Sequence, residues 1–194
     1  SHTGADSVYF NKFGRYGENS GAYRDPQSPY RDWYSFINYP HEYESWWGIT
    51  TLPNVNENFP GYTDYICGEG GILQRWIDAG AAGWRLDVAD ELPDEFLDNL
   101  RVAVKAKGDD KIIYGEVWED ASNKESYGVR RRYLTGRQLD SVMNYPFRDG
   151  VLGYITQKDA EPFSDVLKSI YSTYPKHVSD CLMYIIGTHD TERA

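Results

Sequence analysis

The sequence predicts an α/β fold built on a parallel sheet, and three observations point there. From residue 70 onward, short apolar segments alternate with amphipathic ones in the order strand, helix, strand, helix, strand, helix, strand, the pattern of a parallel sheet with helical crossovers. Right-handed crossovers of this kind build either an open doubly wound sheet or part of a (β/α)8 barrel. No glycine-rich phosphate loop follows any of the strands, which weakens the nucleotide-binding version. Finally, the texture of the chain changes near residue 70. Residues 3–66 are rich in Tyr, Trp, Asn, Pro and Gly, hold no lasting period, and read as a large loop-dominated insertion. We therefore expect two parts of one domain, 1–66 and 67–194.

Each element has a local reason. Ile72, Leu73, Trp76 and Ile77 are spaced for one helical face, and Gly80 can stop that helix. Residues 82–89 are short and largely apolar, as a buried strand is. A helix follows, with Pro93 in its first turn and Asp94 and Glu95 at its positive end. Phe96, Leu100 and Val104 line its buried face, and Gly108 closes it. Residues 111–117 form the next strand. A short helical region is expected over 123–133, a strand near 139–143, one or two helices over 146–174, and a last strand over 181–187. No internal repeat is visible.

Composition bounds the function. The 194 residues are 40% hydrophobic and 26% charged, an ordinary globular balance. The formal net charge of -10 argues against nucleic acid as a partner, because phosphate binding calls for a basic patch. No apolar run of about 18 residues is present to suggest a membrane span. Cys67 and Cys181 match no metal-ligand spacing and read as unpaired, partly buried thiols. Aromatics reach 15%, and 16 of them fall between Tyr9 and Tyr65.

The chemistry gathers at strand ends. Asp87, Glu116 and Asp190 each stand at the C-terminal end of a predicted strand, and in a barrel those ends share one mouth. A carboxylate in such a place also serves as a helix cap or an ion-pair member. Arg85 lies two residues before Asp87, on the same strand face, and a guanidinium there favours the charged form of a nucleophilic carboxylate. It equally suits a structural ion pair. His189, beside Asp190, can bond a substrate hydroxyl or sit as an ordinary loop histidine.

These segments resemble a known family. Gly83-Trp84-Arg85-Leu86-Asp87-Val88-Ala89-Asp90-Glu91 is similar to the nucleophile segment of α-amylase family glycoside hydrolases (family 13). Gly115-Glu116-Val117-Trp118 resembles the acid/base segment, and Gly187-Thr188-His189-Asp190 the segment with the third carboxylate. Leu52-Pro53-Asn54-Val55-Asn56 resembles a short motif near the end of the family's inserted B domain. Ser1-His2-Thr3-Gly4 looks like the tail of the segment ending barrel strand 3. The motifs occur in the family's order over the whole chain. Their run with Ser141-Val142-Met143-Asn144-Tyr145-Pro146-Phe147, and with Asp90-Glu91 after the nucleophile, is most similar to neopullulanases and cyclomaltodextrinases.

The resemblance implies a (β/α)8 TIM barrel, here entered at the end of strand 3 and followed to strand 7. Strands 1, 2 and 8, and the Asp expected five positions before His2, would lie outside the sequence. It implies a retaining glycosidase acting on α-1,4 and possibly α-1,6 bonds of starch-derived glucans, cyclodextrins or pullulan. Transglycosylation, debranching and a non-catalytic carbohydrate-binding role are the alternatives. Asp87 would be the nucleophile and Glu116 the acid/base, with burial beside Trp118 favouring its protonated form; their carboxyls would stand roughly 5 to 5.5 Å apart. Asp190, His189 and His2 would grip ring hydroxyls, and Glu91 would border the acceptor side. Trp46, Trp47 and Trp118 are candidates for a sugar-stacking wall, while Trp33 and Trp76 are expected in the core. No cofactor is required. Calcium is possible in the family, although Asp25 and Asn19 match no ligand loop.

Overall fold

The structure, a computed structural model, describes residues 21–193. His2 and the Ser1–Gly4 motif lie outside the described residues, as does Asn19. The chain divides into two compact units, Ser1–Tyr65 and Ile66–Ala194.

In the first unit, regular structure is sparse. A small hairpin pairs β1 (Phe36–Asn38) with β2 (Glu42–Tyr43), and the helix α1 (Pro60–Cys67) contains the boundary. Aromatic contacts replace a conventional core. Trp33 lies edge-on to Tyr30 and Tyr62, with centroids 5.0 and 5.4 Å away, and is half-buried. The 52–56 motif ties back by backbone: Trp46 N–H donates to Leu52 O, Asn54 N–H to Glu44 O and Asn56 N–H to Trp33 O.

The second unit is a parallel βα array. Its four-stranded sheet runs β3 (Gly83–Leu86), β4 (Ile112–Gly115), β7 (Ser141–Asn144), β8 (Met183–Tyr184), all parallel. Each pairing is in sequence order, as in successive steps of a barrel wall, and the described strands form an open arc of it. The β3–β4 pairing depends on Gly83: a Cβ there would lie 1.9 Å from Ile112 O, so only glycine lets the strands approach.

Helices cover this sheet. α2 (Ile72–Asp78) buries Leu73, Gln74 and Ile77. Trp76, expected on that face, is instead 60% exposed, because the stripe inserted into the core runs through Leu73, Gln74 and Ile77. Gln74 is tolerated there because it is satisfied, donating to Ala103 O and accepting from Gly70 N–H. α3 (Asp94–Lys105) buries Phe96, Leu97, Leu100, Ala103 and Val104 along one stripe, as its spacing requires. α4 (Tyr145–Gln157) begins with Asn144 capping Phe147 N–H at 3.0 Å and Pro146 in its first turn. α5 (Ala160–Thr173) is capped by Asp159, and α6 (Lys176–Ser179) adds one further turn.

Three elements differ from expectation. Residues 123–133 are not helical: β5 (Glu125–Ser126) and β6 (Val129–Arg130) form a hairpin around Tyr127 and Gly128, whose φ values are 53° and 75°. Two consecutive positive φ values match the twist of a tight hairpin, and a tyrosine there costs about 1–2 kcal/mol. The last strand is short because β7 pairs it only at Met143 and Asn144; beyond them the chain of β7 turns into α4. The 82–89 strand ends at Leu86. Val88 adopts φ 39°, and a 3-10 turn follows over Ala89–Glu91.

Among the described residues no helix is long and apolar enough to cross a membrane. Both cysteines are free: Cys67 is half-buried, whereas Cys181 is exposed rather than partly buried.

Candidate active site

Strand direction places the predicted acids. Asp87 directly follows β3 and Glu116 directly follows β4, so both emerge at the same edge of adjacent parallel strands. Arg85 joins them. Its Nη1 pairs with Asp87 Oδ1, and its Nη2 lies 3.0 Å from Glu116 Oε2. That second contact is an ion pair without hydrogen-bond alignment, since Nη2 has no hydrogen-bond partner of acceptable angle. One guanidinium thus spans both carboxylates, which sets them in one site.

Their surroundings differ. The Glu116 side chain is 3% exposed, whereas that of Asp87 is 60% exposed. Glu116 Oε2 accepts the Val88 N–H at 2.9 Å. Its Oε1 accepts from Trp118 Nε1 and from the Tyr145 hydroxyl, both at 3.3 Å. The positive φ of Val88, rare for a β-branched residue, turns that N–H to the carboxylate. Backbone strain is therefore found beside the two acids. Asp87, with few partners, is left open to an incoming group.

Tyr145 is a site residue that the acid pattern alone does not reveal; only its place in the Ser141–Phe147 run hints at it. It is 1% exposed and stacks on Trp118 with centroids 4.2 Å apart and planes at 14°. Burial pushes its hydroxyl pKa up, and the hydroxyl also bonds the Thr188 side chain. Trp118 itself is 45% exposed, leaving part of its ring to solvent.

The remaining candidates are less tightly assembled. Asp190 sits beyond β8 in a turn where its N–H donates to Thr188 Oγ1 at 3.2 Å, and His189 Nε2 lies 3.0 Å from its Oδ2. No described contact joins Asp190 to Asp87 or Glu116. The connection runs through Thr188, which shares Tyr145 with Glu116. Glu91 accepts the Tyr127 hydroxyl at 2.6 Å. Trp46 and Trp47 belong to the first unit, where their centroids are 5.6 Å apart and Trp47 is 81% exposed. Among the described residues, Asp25 included, no group of three or more His, Cys, Asp or Glu side chains is arranged to hold a metal ion.

A family model described as the catalytic domain of alpha amylase matches residues 1–194. The chain belongs to the alpha-amylase family. As such it is a TIM-barrel segment, and the β3-β4-β7-β8 order is consecutive wall of that barrel. Among alpha-amylase relatives, it is 33% identical to an amylopullulanase of Thermoanaerobacter thermohydrosulfuricus, over 100% of this chain and 15% of that protein. It is 33% identical to a cyclomaltodextrinase of Geobacillus thermopakistaniensis, over 86% of this chain and 28% of that one. A solved cyclic α-maltosyl-(1→6)-maltose hydrolase of Arthrobacter globiformis superposes with a TM-score of 0.77 at 29% identity, covering 89% of this chain and 38% of that chain. The same hydrolase is also known in complex with cyclic α-maltosyl-(1→6)-maltose and with maltose. The chain therefore spans well under half the length of these relatives. Alpha-amylase family enzymes generally need no organic cofactor.

Proposed function

We propose that the protein carrying this chain is a retaining glycoside hydrolase of α-glucans, with Asp87 as nucleophile and Glu116 as acid/base. The observation that carries this reading is the Arg85 guanidinium spanning the two carboxylates at the ends of β3 and β4. Glycosidic cleavage passes through an oxocarbenium-like state that needs a nearby negative charge and a proton on the leaving oxygen. Asp87, exposed beside Arg85, is suited to attack the anomeric carbon. Glu116, buried beside Asp87 and fixed in place by its neighbours, is positioned to pass a proton to the leaving oxygen and then to take one from water or an acceptor sugar.

The roles of the other residues follow from the same chemistry. Arg85 holds the pair in register. Trp118 presents its open ring to a pyranose, whose C–H face is apolar. Asp190 and His189 bond ring hydroxyls of the donor sugar, and His2 assists them. Glu91 borders the acceptor side. In the first unit, a B-domain-like insertion, Trp46 and Trp47 are rings suited to stack on a sugar. The partner is an α-glucan oligosaccharide or polysaccharide, cut at α-1,4 bonds. The match to an amylopullulanase over the whole chain favours, as a second reading, cleavage of α-1,6 bonds in pullulan.

Asp87→Asn and Glu116→Gln in the intact protein, assayed on cyclodextrin, maltotriose and pullulan, test this assignment. Each variant is expected to lose at least about a thousandfold in kcat, consistent with removing a covalent nucleophile or the proton donor. Wild-type turnover by either variant overturns its assigned role. The product pattern on the three substrates separates the α-1,4 from the α-1,6 reading.

A further inference from the structure

We propose that Tyr127, at the tip of the β5–β6 hairpin, is an aromatic platform for a glucosyl unit on the acceptor side of the cleaved bond, acting with Glu91. This deepens the glycosidase reading and rests on it. The hairpin leaves the chain just after the Glu116 segment and is clamped to the residues that follow Asp87. Lys124 Nζ lies 3.0 Å from Asp90 Oδ2, Ser126 Oγ donates to Asp90 O at 3.2 Å, and Tyr133 hydroxyl donates to Asp90 Oδ1 at 2.6 Å. Arg131 donates to Asp90 O at 3.0 Å and to Leu92 O at 2.6 Å. These contacts on Asp90 and Leu92 fix the hairpin beside the nucleophile's own loop.

Against this rigid base the tip residue is odd. Tyr127 is 76% exposed, and its φ of 53° belongs to the region where Gly and Asn are at ease. Folding alone would favour a smaller residue here. Instead, a large ring is held out to solvent, and its hydroxyl is anchored on Glu91 Oε1 at 2.6 Å. A fixed, exposed ring beside a carboxylate is the chemistry of a sugar subsite: the ring stacks on an apolar pyranose face, and the free carboxylate oxygen accepts a hydroxyl. Position selects the side. The hairpin docks on the loop after β3, at one end of the strand order β3-β4-β7-β8, while Asp190, assigned to the donor sugar, follows β8 at the other end.

Two substrates separate this role from a structural one in the intact protein. α-Maltosyl fluoride passes its maltosyl group to the nucleophile and releases fluoride, so its leaving group places no sugar on the acceptor side; that of maltopentaose does. Tyr127→Asn suits the turn's backbone, so its Tm is expected to equal or exceed wild type. Its kcat/KM for maltopentaose is expected to fall about three- to tenfold, the range of an aromatic contact, with fluoride release unchanged. Tyr127→Phe, which keeps the ring, is expected to retain more activity than Tyr127→Asn. An unchanged maltopentaose rate, an equal loss on both substrates, or a Phe variant as impaired as the Asn variant overturns the proposal while leaving the glycosidase reading intact. A wild-type protein that turns over neither substrate overturns both.

Discussion

Asp140→Asn should weaken the fold in a pH-dependent way, and the structure sets the size. Asp140 precedes β7 and receives three donors: Arg101 Nη1 at 2.8 Å, Lys105 Nζ at 2.9 Å and the Ile113 N–H at 2.8 Å. It thereby ties α3 and β4 to β7 at the end of the strands away from Asp87 and Glu116. Burial works to raise its pKa, but the hydrogen bonds from Lys105, Arg101 and the Ile113 N–H outweigh that and hold it below the usual carboxylate range. A hydrogen bond to a charged group contributes about 1.5–3 kcal/mol. Three on one carboxyl do not add fully, and asparagine keeps one acceptor oxygen, so the expected loss is about 2–4 kcal/mol, or roughly 5–15 °C in Tm.

The sign with pH follows from the lowered pKa. A carboxylate whose folded pKa is depressed stabilises the fold fully above its unfolded value, near pH 4, and loses that contribution as pH falls through the folded value. Asparagine does not titrate. Thermal melts of both proteins should therefore differ most at about pH 6–7 and converge below about pH 4. A gap that is absent at about pH 7, or the same at about pH 7 and pH 3, refutes the reasoning.

Gly83→Ala places a Cβ 1.9 Å from Ile112 O and should prevent β3 from pairing with β4; loss of soluble folded protein, read by expression and circular dichroism, is expected. The two thiols should differ in labelling. Burial pushes the Cys67 thiol up to about 11, whereas Cys181 is exposed, so iodoacetamide at about pH 8 should modify Cys181 first, as peptide mass mapping would show.

The parallel array is legible in the sequence because each strand there is a short apolar run closed by a turn and each helix carries its own caps. The stripe of Phe96, Leu100 and Val104 and the signals at Pro93 and Gly108 place α3 within a residue or two. Strand-end position groups Asp87 with Glu116, and the period of two puts Arg85 on Asp87's face. What stays hidden depends on tertiary partners. Nothing local announces that one Arg85 reaches Glu116, or that Val88 turns its N–H to that carboxylate. The β5–β6 hairpin escapes a sequence reading because Tyr-Gly is a poor turn signal beside Asn-Gly, and the contacts that hold it lie on Asp90 and Leu92, more than thirty residues earlier. Trp76 is misplaced by its spacing because four apolar residues in six do not say which of them the core takes.

Asp87 and Glu116 acting as one retaining pair fixes which anomer is released, so product stereochemistry discriminates between double and single displacement. Proton NMR of the first products released from an α-linked maltooligosaccharide by the intact protein should show the α-anomer forming first, with the β-anomer appearing only by later mutarotation. A β-anomer formed first would mean single displacement by water, and would contradict the assignment of Asp87 as nucleophile.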